Sequence, residues 1–146
     1  MITHRLAGAP LNFTALREEL AVPGESPLEV LREAETVAAT PFAIDYDQTQ
    51  IPFVTVDPPG SRDLDQAVHI AATSSGGYVV SYAIADVASF ARPGSALDEE
   101  TLRRGETLYF PDARILLHPA VLSEGAASLL PGSRDQWCCG RSNSTR

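Results

Sequence analysis

The sequence predicts an α+β fold, with short N-terminal helices followed by a mainly antiparallel sheet and a packed helix. Three observations carry that prediction. Apolar residues recur at helical spacing before residue 40, β-branched and aromatic runs broken by turn residues fill 51–84, and residues 95–105 carry both boundary signals of a helix. A chain of 146 residues suits one small domain that buries its own core.

In NFTALREELAV, Phe13, Leu16 and Leu20 share a helical face, and the PGE after it is a stop. A second helix has a clearer start. Ser26 suits the N-cap, Pro27 the first helical position, and Glu29 completes a capping box. Leu28, Leu31 and Val37, among several alanines, give it one apolar stripe. Residues 1–50 therefore read as a helical N-terminal arm without chemistry of its own.

After TPFAIDYDQTQ the pattern turns extended. IPFVTVD is β-rich, AVHIAA resumes beyond an acidic loop, SSGG supplies a turn, and YVVSYAIADV has the character of a buried strand. A sheet containing a hairpin is expected over 51–84. In RPGSALDEETLRRG, Ser95 is the N-cap, Asp98 the third helical position and Gly105 the stop, which predicts a helix over about 96–104. Asp98, Glu99 and Glu100 suit its first turn, where the helix dipole favours negative charge. Tyr109, Phe110 and Pro111 follow as an extended segment, and ILLHPAVLSEGAASLLPG as a loop passing into a short helix.

Residues 133–146, SRDQWCCGRSNSTR, show no period and read as an irregular tail. Codons for QWCCGRSNST can spell VVLWTIELDS one base out of frame, which is a plausible strand. A frameshift near Ser133 is the expectation that follows.

Composition narrows the function classes. No run is long and apolar enough to cross a bilayer, and MITHRLAGAPLNF lacks the apolar core of a secretory signal, so a cytoplasmic protein without membrane contact is expected. Cys138 and Cys139 are adjacent, which is neither a disulfide framework nor a spaced metal motif. His4, His69 and His118 have no ligand-like spacing. The net charge of −8 weighs against a broad electrostatic grip on nucleic acid. No feature points to a protein partner.

The chemistry concentrates in DPPGSRDLDQA, residues 57–67. Carboxylates crowded at a strand end repel one another unless a cation sits between them. Mg²⁺ suits such a place, because it prefers oxygen ligands and takes a few carboxylates alongside water and phosphate oxygens. Asp57 closes the strand, while Asp63 and Asp65 alternate and would point to one side of an extended backbone. A calcium loop of the EF-hand type is excluded, since counting from Asp63 its glycine and glutamate positions hold Val68 and Ser74. The other reading is a solvated acidic turn whose aspartates bond local amides. Spacing alone leans that way, because Asp and Pro are ordinary loop residues.

FVTVDPPGSRDLDQAVHI, followed in order by YAIADVASF, PGSALD, RRGETLYFP and LSEGAASLLPG, resembles the N-terminal part of the catalytic domain of the ribonuclease II/R (RNB) family. The resemblance covers 51–132. It implies an incomplete RNB domain from a processive, hydrolytic exoribonuclease that degrades single-stranded RNA from its 3′ end and releases nucleoside monophosphates with Mg²⁺.

The family's four-aspartate signature falls on Asp57, Asp63, Asp65 and Gln66. The resemblance makes the three aspartates metal ligands and ties Asp65 most closely to catalysis. Gln66 departs from it, since an amide offers no negative charge. Tyr109 matches an aromatic that stacks on a base of the RNA, although a lone aromatic is otherwise a packing residue. Asp86, in the shared IADV motif at the end of an apolar strand, either sits near the metal site or caps the following turn, and capping is the commoner role of such an aspartate.

The resemblance also implies that the basic channel and phosphate clamp belong to parts of the domain beyond these motifs. The chain by itself is then expected to show little nuclease activity. The alternative is a non-catalytic binding or interaction module that retains part of the RNB fold.

Overall fold

The computed structural model describes residues 12–41 and 47–132, together with the backbone of 137–144. The first helix, α1 (Thr14–Glu19), buries none of its residues. It is held from outside instead. Arg17 pairs with Asp112 at 2.7 Å and lies over the Phe110 ring at 5.3 Å.

The second helix, α2 (Leu28–Ala38), buries Val30 and Ala34. Ser26 does not cap it, contrary to expectation. Pro27 itself takes the N-cap position with an extended ψ of 150°, so Ser26 lies one residue too far out. The inner face of α2 packs against the rest of the chain. Val30 and Ala34 join Phe90, Leu97, Leu122 and Ala127 in the main apolar cluster of the described residues.

The helix expected over 96–104 is α3 (Ala96–Arg104), and it has the expected ends. The Asp98 amide donates to Ser95 Oγ, the Asp98 carboxylate accepts from the Gly94 amide, and Gly105 closes the helix at a φ of 77° that favours glycine. Glu33 of α2 accepts from the Leu97 amide at 2.9 Å, which locks the two helices together. Glu100 is buried and bonded by both Arg103 and Arg104. Hydrogen bonding from Arg103, reinforced by Arg104, holds its carboxyl below the ordinary value against the opposing effect of burial. Arg104 also donates to the carbonyls of Leu116 and Gly24, so one side chain ties three chain segments.

The sheet pairs β1 (Gln66–Ala72) with β2 (Tyr78–Ala85) in an antiparallel hairpin. Its turn uses Gly76 at a φ of 86°, and Thr73 accepts from the Gly77 amide. Ala67 and Ala83 are buried on one face. The opposite face is open, with Ile70 59%, Tyr78 50% and Ile84 48% exposed.

Two sheet expectations need correction. IPFVTV forms no strand and makes only an isolated bridge between Val54 and Val68. Proline removes a donor at position 52, and the pair Pro58 and Pro59 cuts the run short. The tail is not irregular throughout, because β5 (Trp137–Ser144) pairs antiparallel along the whole of β2. Backbone amides facing the free edge of β2 suffice for such pairing, whatever side chains they carry. The frameshift expected near Ser133 and the residue His4 lie outside the described residues. A short ribbon, β3 (Leu108–Tyr109) with β4 (Arg114–Ile115), completes the strands. No helix among the described residues is long and apolar enough to cross a membrane.

Candidate functional site

The acidic loop begins with a turn that its sequence dictates. The Ser61 amide donates to the Pro58 carbonyl at 3.1 Å, and Gly60 takes a φ of 90°. Proline followed by a glycine of positive φ is the type II pattern, and a side chain at position 60 would be strained there. The chain then extends from Arg62 to Asp65. Leu64 turns inward and is only 6% exposed, so Asp63 and Asp65 stand outside it on either side. The Ala85 amide donates to the Asp65 carbonyl at 2.9 Å, which fixes Asp65 where β1 begins and β2 ends.

The aspartates do not all meet. Asp57 and Asp65 line one cleft of about 220 Å³, together with Gln66, Tyr82 and the apolar Val54, Val56 and Val68. Both carboxylates are exposed. Asp63 is not among the lining residues. Its carboxylate lies 3.8 Å from the Arg114 guanidinium and 3.5 Å from the Tyr109 hydroxyl. Arg114 in turn holds Glu124 at 2.6 Å. Among the described residues no three or more His, Cys, Asp or Glu side chains gather as a metal cage.

Gln66 also has a partner. The Tyr82 hydroxyl donates to its Oε1 across the hairpin, which engages one of the two lone pairs on the oxygen that the amide could offer a cation. Two carboxylates with open sides remain. That donor set fits an ion such as Mg²⁺, which binds through one or two carboxylates and keeps water and phosphate oxygens as its other partners.

The remaining candidates sort themselves by surroundings. Tyr109 is 67% exposed on β3, opposite Arg114 of β4, so its ring is open to solvent rather than packed. Asp86 accepts from the Ser89 hydroxyl at 2.5 Å at the head of a 3₁₀ turn, the structural role expected of it. His69 stands edge-on to Phe53, and His118 bonds the Thr101 hydroxyl at 3.1 Å. Burial lowers the His118 pKa below its ordinary value. Arg114, Tyr82 and Ser128 were not singled out by sequence. Their contacts with the acidic loop are made between segments distant in the chain, and nothing local announces them.

Comparison with known proteins supplies the family. The model of the RNB domain matches residues 45–139. Ribonuclease R of Vibrio cholerae is 39% identical over 114 residues, which is 75% of this chain and 14% of that protein. The exosome complex exonuclease RRP44 of Mus musculus is 48% identical over 75 residues, covering 51% of this chain and 8% of that one. The solved structure of Mycoplasma genitalium RNase R in complex with double-stranded RNA aligns with a TM-score of 0.80 at 26% identity, over 90% of this chain and 24% of its own. The chain thus spans less than a quarter of the length of each of these relatives. The α+β expectation is borne out by the helices, the antiparallel strands and this likeness.

Proposed function

We propose that this chain, which belongs to the RNB domain family, is the front part of a hydrolytic exoribonuclease that removes nucleoside monophosphates from the 3′ end of single-stranded RNA. The observation that supports this most is the cleft shared by Asp57 and Asp65, two exposed aspartates from the two ends of the acidic loop, the second of them fixed where β1 begins.

Mg²⁺ bound there would neutralise phosphate charge and make a water nucleophilic. Asp57 and Asp65 would hold it, and Asp65 would orient the attacking water and accept its proton. Asp63 would add a third carboxylate only by releasing Arg114, whose 3.8 Å contact with it is a loose one. The exposed ring of Tyr109 would stack on a base near the 3′ end. Stacking is indifferent to sequence, which suits an enzyme that degrades any RNA.

Positioning the scissile bond needs groups on both sides of it, and this cleft offers them on one side only. Incubated with single-stranded RNA and Mg²⁺, the chain alone is expected to release no mononucleotides. Residues 51–132 grafted in place of the matching segment of Vibrio cholerae ribonuclease R are expected to support release, and Asp65→Asn in that graft to abolish it. Mononucleotides from the chain alone, or a graft indifferent to Asp65→Asn, would contradict the proposal.

A second reading, a non-catalytic module, is favoured by the neutral Gln66 and its bond to Tyr82. An inactive graft in a chain that still binds RNA would select it.

A further inference from the structure

Ser128 is a polar residue with no exposure, set next to Ala127 of the apolar cluster. Its hydroxyl donates to the Arg62 carbonyl at 2.5 Å and accepts from the Leu64 amide at 2.9 Å. The next amide, that of Leu129, donates to the Leu64 carbonyl at 2.7 Å. Three backbone groups of the acidic loop are thus satisfied from a segment 64 to 66 residues further along the chain.

We propose that Ser128 is the positioning residue of the acidic loop, and that its hydroxyl sets the direction in which Asp63 and Asp65 point. Residues 62–64 belong to no strand, so no sheet ladder fixes their rotation. A hydroxyl can donate and accept at once, and here it clamps the carbonyl of Arg62 and the amide of Leu64 around one atom. That clamp turns Leu64 inward and its two neighbours outward. Alanine at 128 would leave a half-buried carbonyl and a buried amide without that partner, and the loop could recover them only by turning toward water. Such a turn would swing Asp63 and tilt the side chain of Asp65, whose carbonyl stays bonded to the Ala85 amide, away from Asp57. Ser128 touches neither carboxylate, so its effect on a bound cation would be entirely indirect.

The inference rests on the metal-site proposal above, and its test separates the two. Mn²⁺ alone is titrated into the full chain and followed by electron paramagnetic resonance, at a temperature where circular dichroism shows each variant folded. Ser128→Ala is expected to weaken Mn²⁺ binding tenfold or more. Leu122→Ala, a truncation in the apolar cluster, is expected to lower Tm while leaving Mn²⁺ affinity within twofold of the parent. A role in stability alone would move Tm and not the affinity. Should Ser128→Ala fail to fold, Ser128→Cys, of similar size and with a weak donor, is expected to lose threefold or more. Affinity equal in the Ser128 variants and the parent would overturn the positioning role and leave the metal site standing. A parent chain without saturable Mn²⁺ binding would overturn both.

Discussion

The helical half of the molecule and the acidic half are built to opposite specifications. Around α2 and α3, Val30, Leu97 and Leu122 are buried together, the charge of Glu100 is met by two arginines, and both ends of α3 are capped. Around the acidic loop and hairpin, Val56 is 87% and Ile70 59% exposed, and the carboxylates of Asp57 and Asp65 face solvent. One half satisfies its own groups. The other leaves charge and apolar side chains open to solvent, and Ser128 bridges the two by fixing the open loop to the edge of the closed core.

The contrast is sharpest in stability. Leu97→Ala is expected to cost about 3 kcal/mol, since it opens a cavity at a fully buried site. Ile70→Ala removes a comparable side chain from the open face and is expected to stay within about 0.5 kcal/mol. Urea denaturation of both variants decides it, and equal losses would erase the distinction between the halves. Next in size, Arg104→Ala should cost about 2 kcal/mol, because it strips a bond from buried Glu100 and frees the carbonyls of Leu116 and Gly24. A loss no larger than that of Ile70→Ala would show that this hub is ornamental.

Acid should loosen the closed half in two steps. His118 has a folded-state pKa lowered from 6.5 by burial, so the unfolded chain takes up its proton first. Its stabilising contribution is present above that value and is lost as the pH falls through 6.5 toward the lower folded value. Glu100, also lowered, contributes above 4.5 and loses its contribution as the pH falls through its folded value below that. Urea midpoints measured from about pH 7.5 to about pH 3 should show both steps, and His118→Gln should remove the upper one. A flat profile from neutrality to pH 5 would contradict the His118 account. In the open half, Gln66→Asp should tighten Mn²⁺ binding severalfold by adding charge where Tyr82 now holds a neutral amide. Calorimetric titration checks it, and unchanged affinity would place residue 66 outside the metal's reach.

How far the sequence could be read follows from the range of the forces involved. The α3 helix was legible from Ser95, Asp98 and Gly105 because capping acts over three or four residues. The turn at residues 58–61 has an equally short range, being set by Pro59 and a glycine of positive φ. Ser26 misled because two neighbouring residues competed for one cap position, and IPFVTV because its β propensity was outweighed by Pro52 within it and Pro58 and Pro59 beyond it. The strand at Trp137–Ser144 was invisible because edge pairing is made by backbone. At the site, type and spacing left the three aspartates between a metal site and a solvated turn, and only the resemblance singled them out. That Asp63 turns to Arg114 while Asp57 and Asp65 share a cleft depends on residues brought together from distant segments, and so does the grip of Ser128 on the loop.

Asp57 and Asp65 are proposed as half of a metal site in the open region. Equilibrium titration of Mn²⁺ into the chain, with Asp65→Asn alongside it, tests this most directly. Saturable binding by the parent, weakened at least tenfold in Asp65→Asn with the fold intact, is the expected result. No saturable binding, or equal affinity in the two proteins, would contradict it.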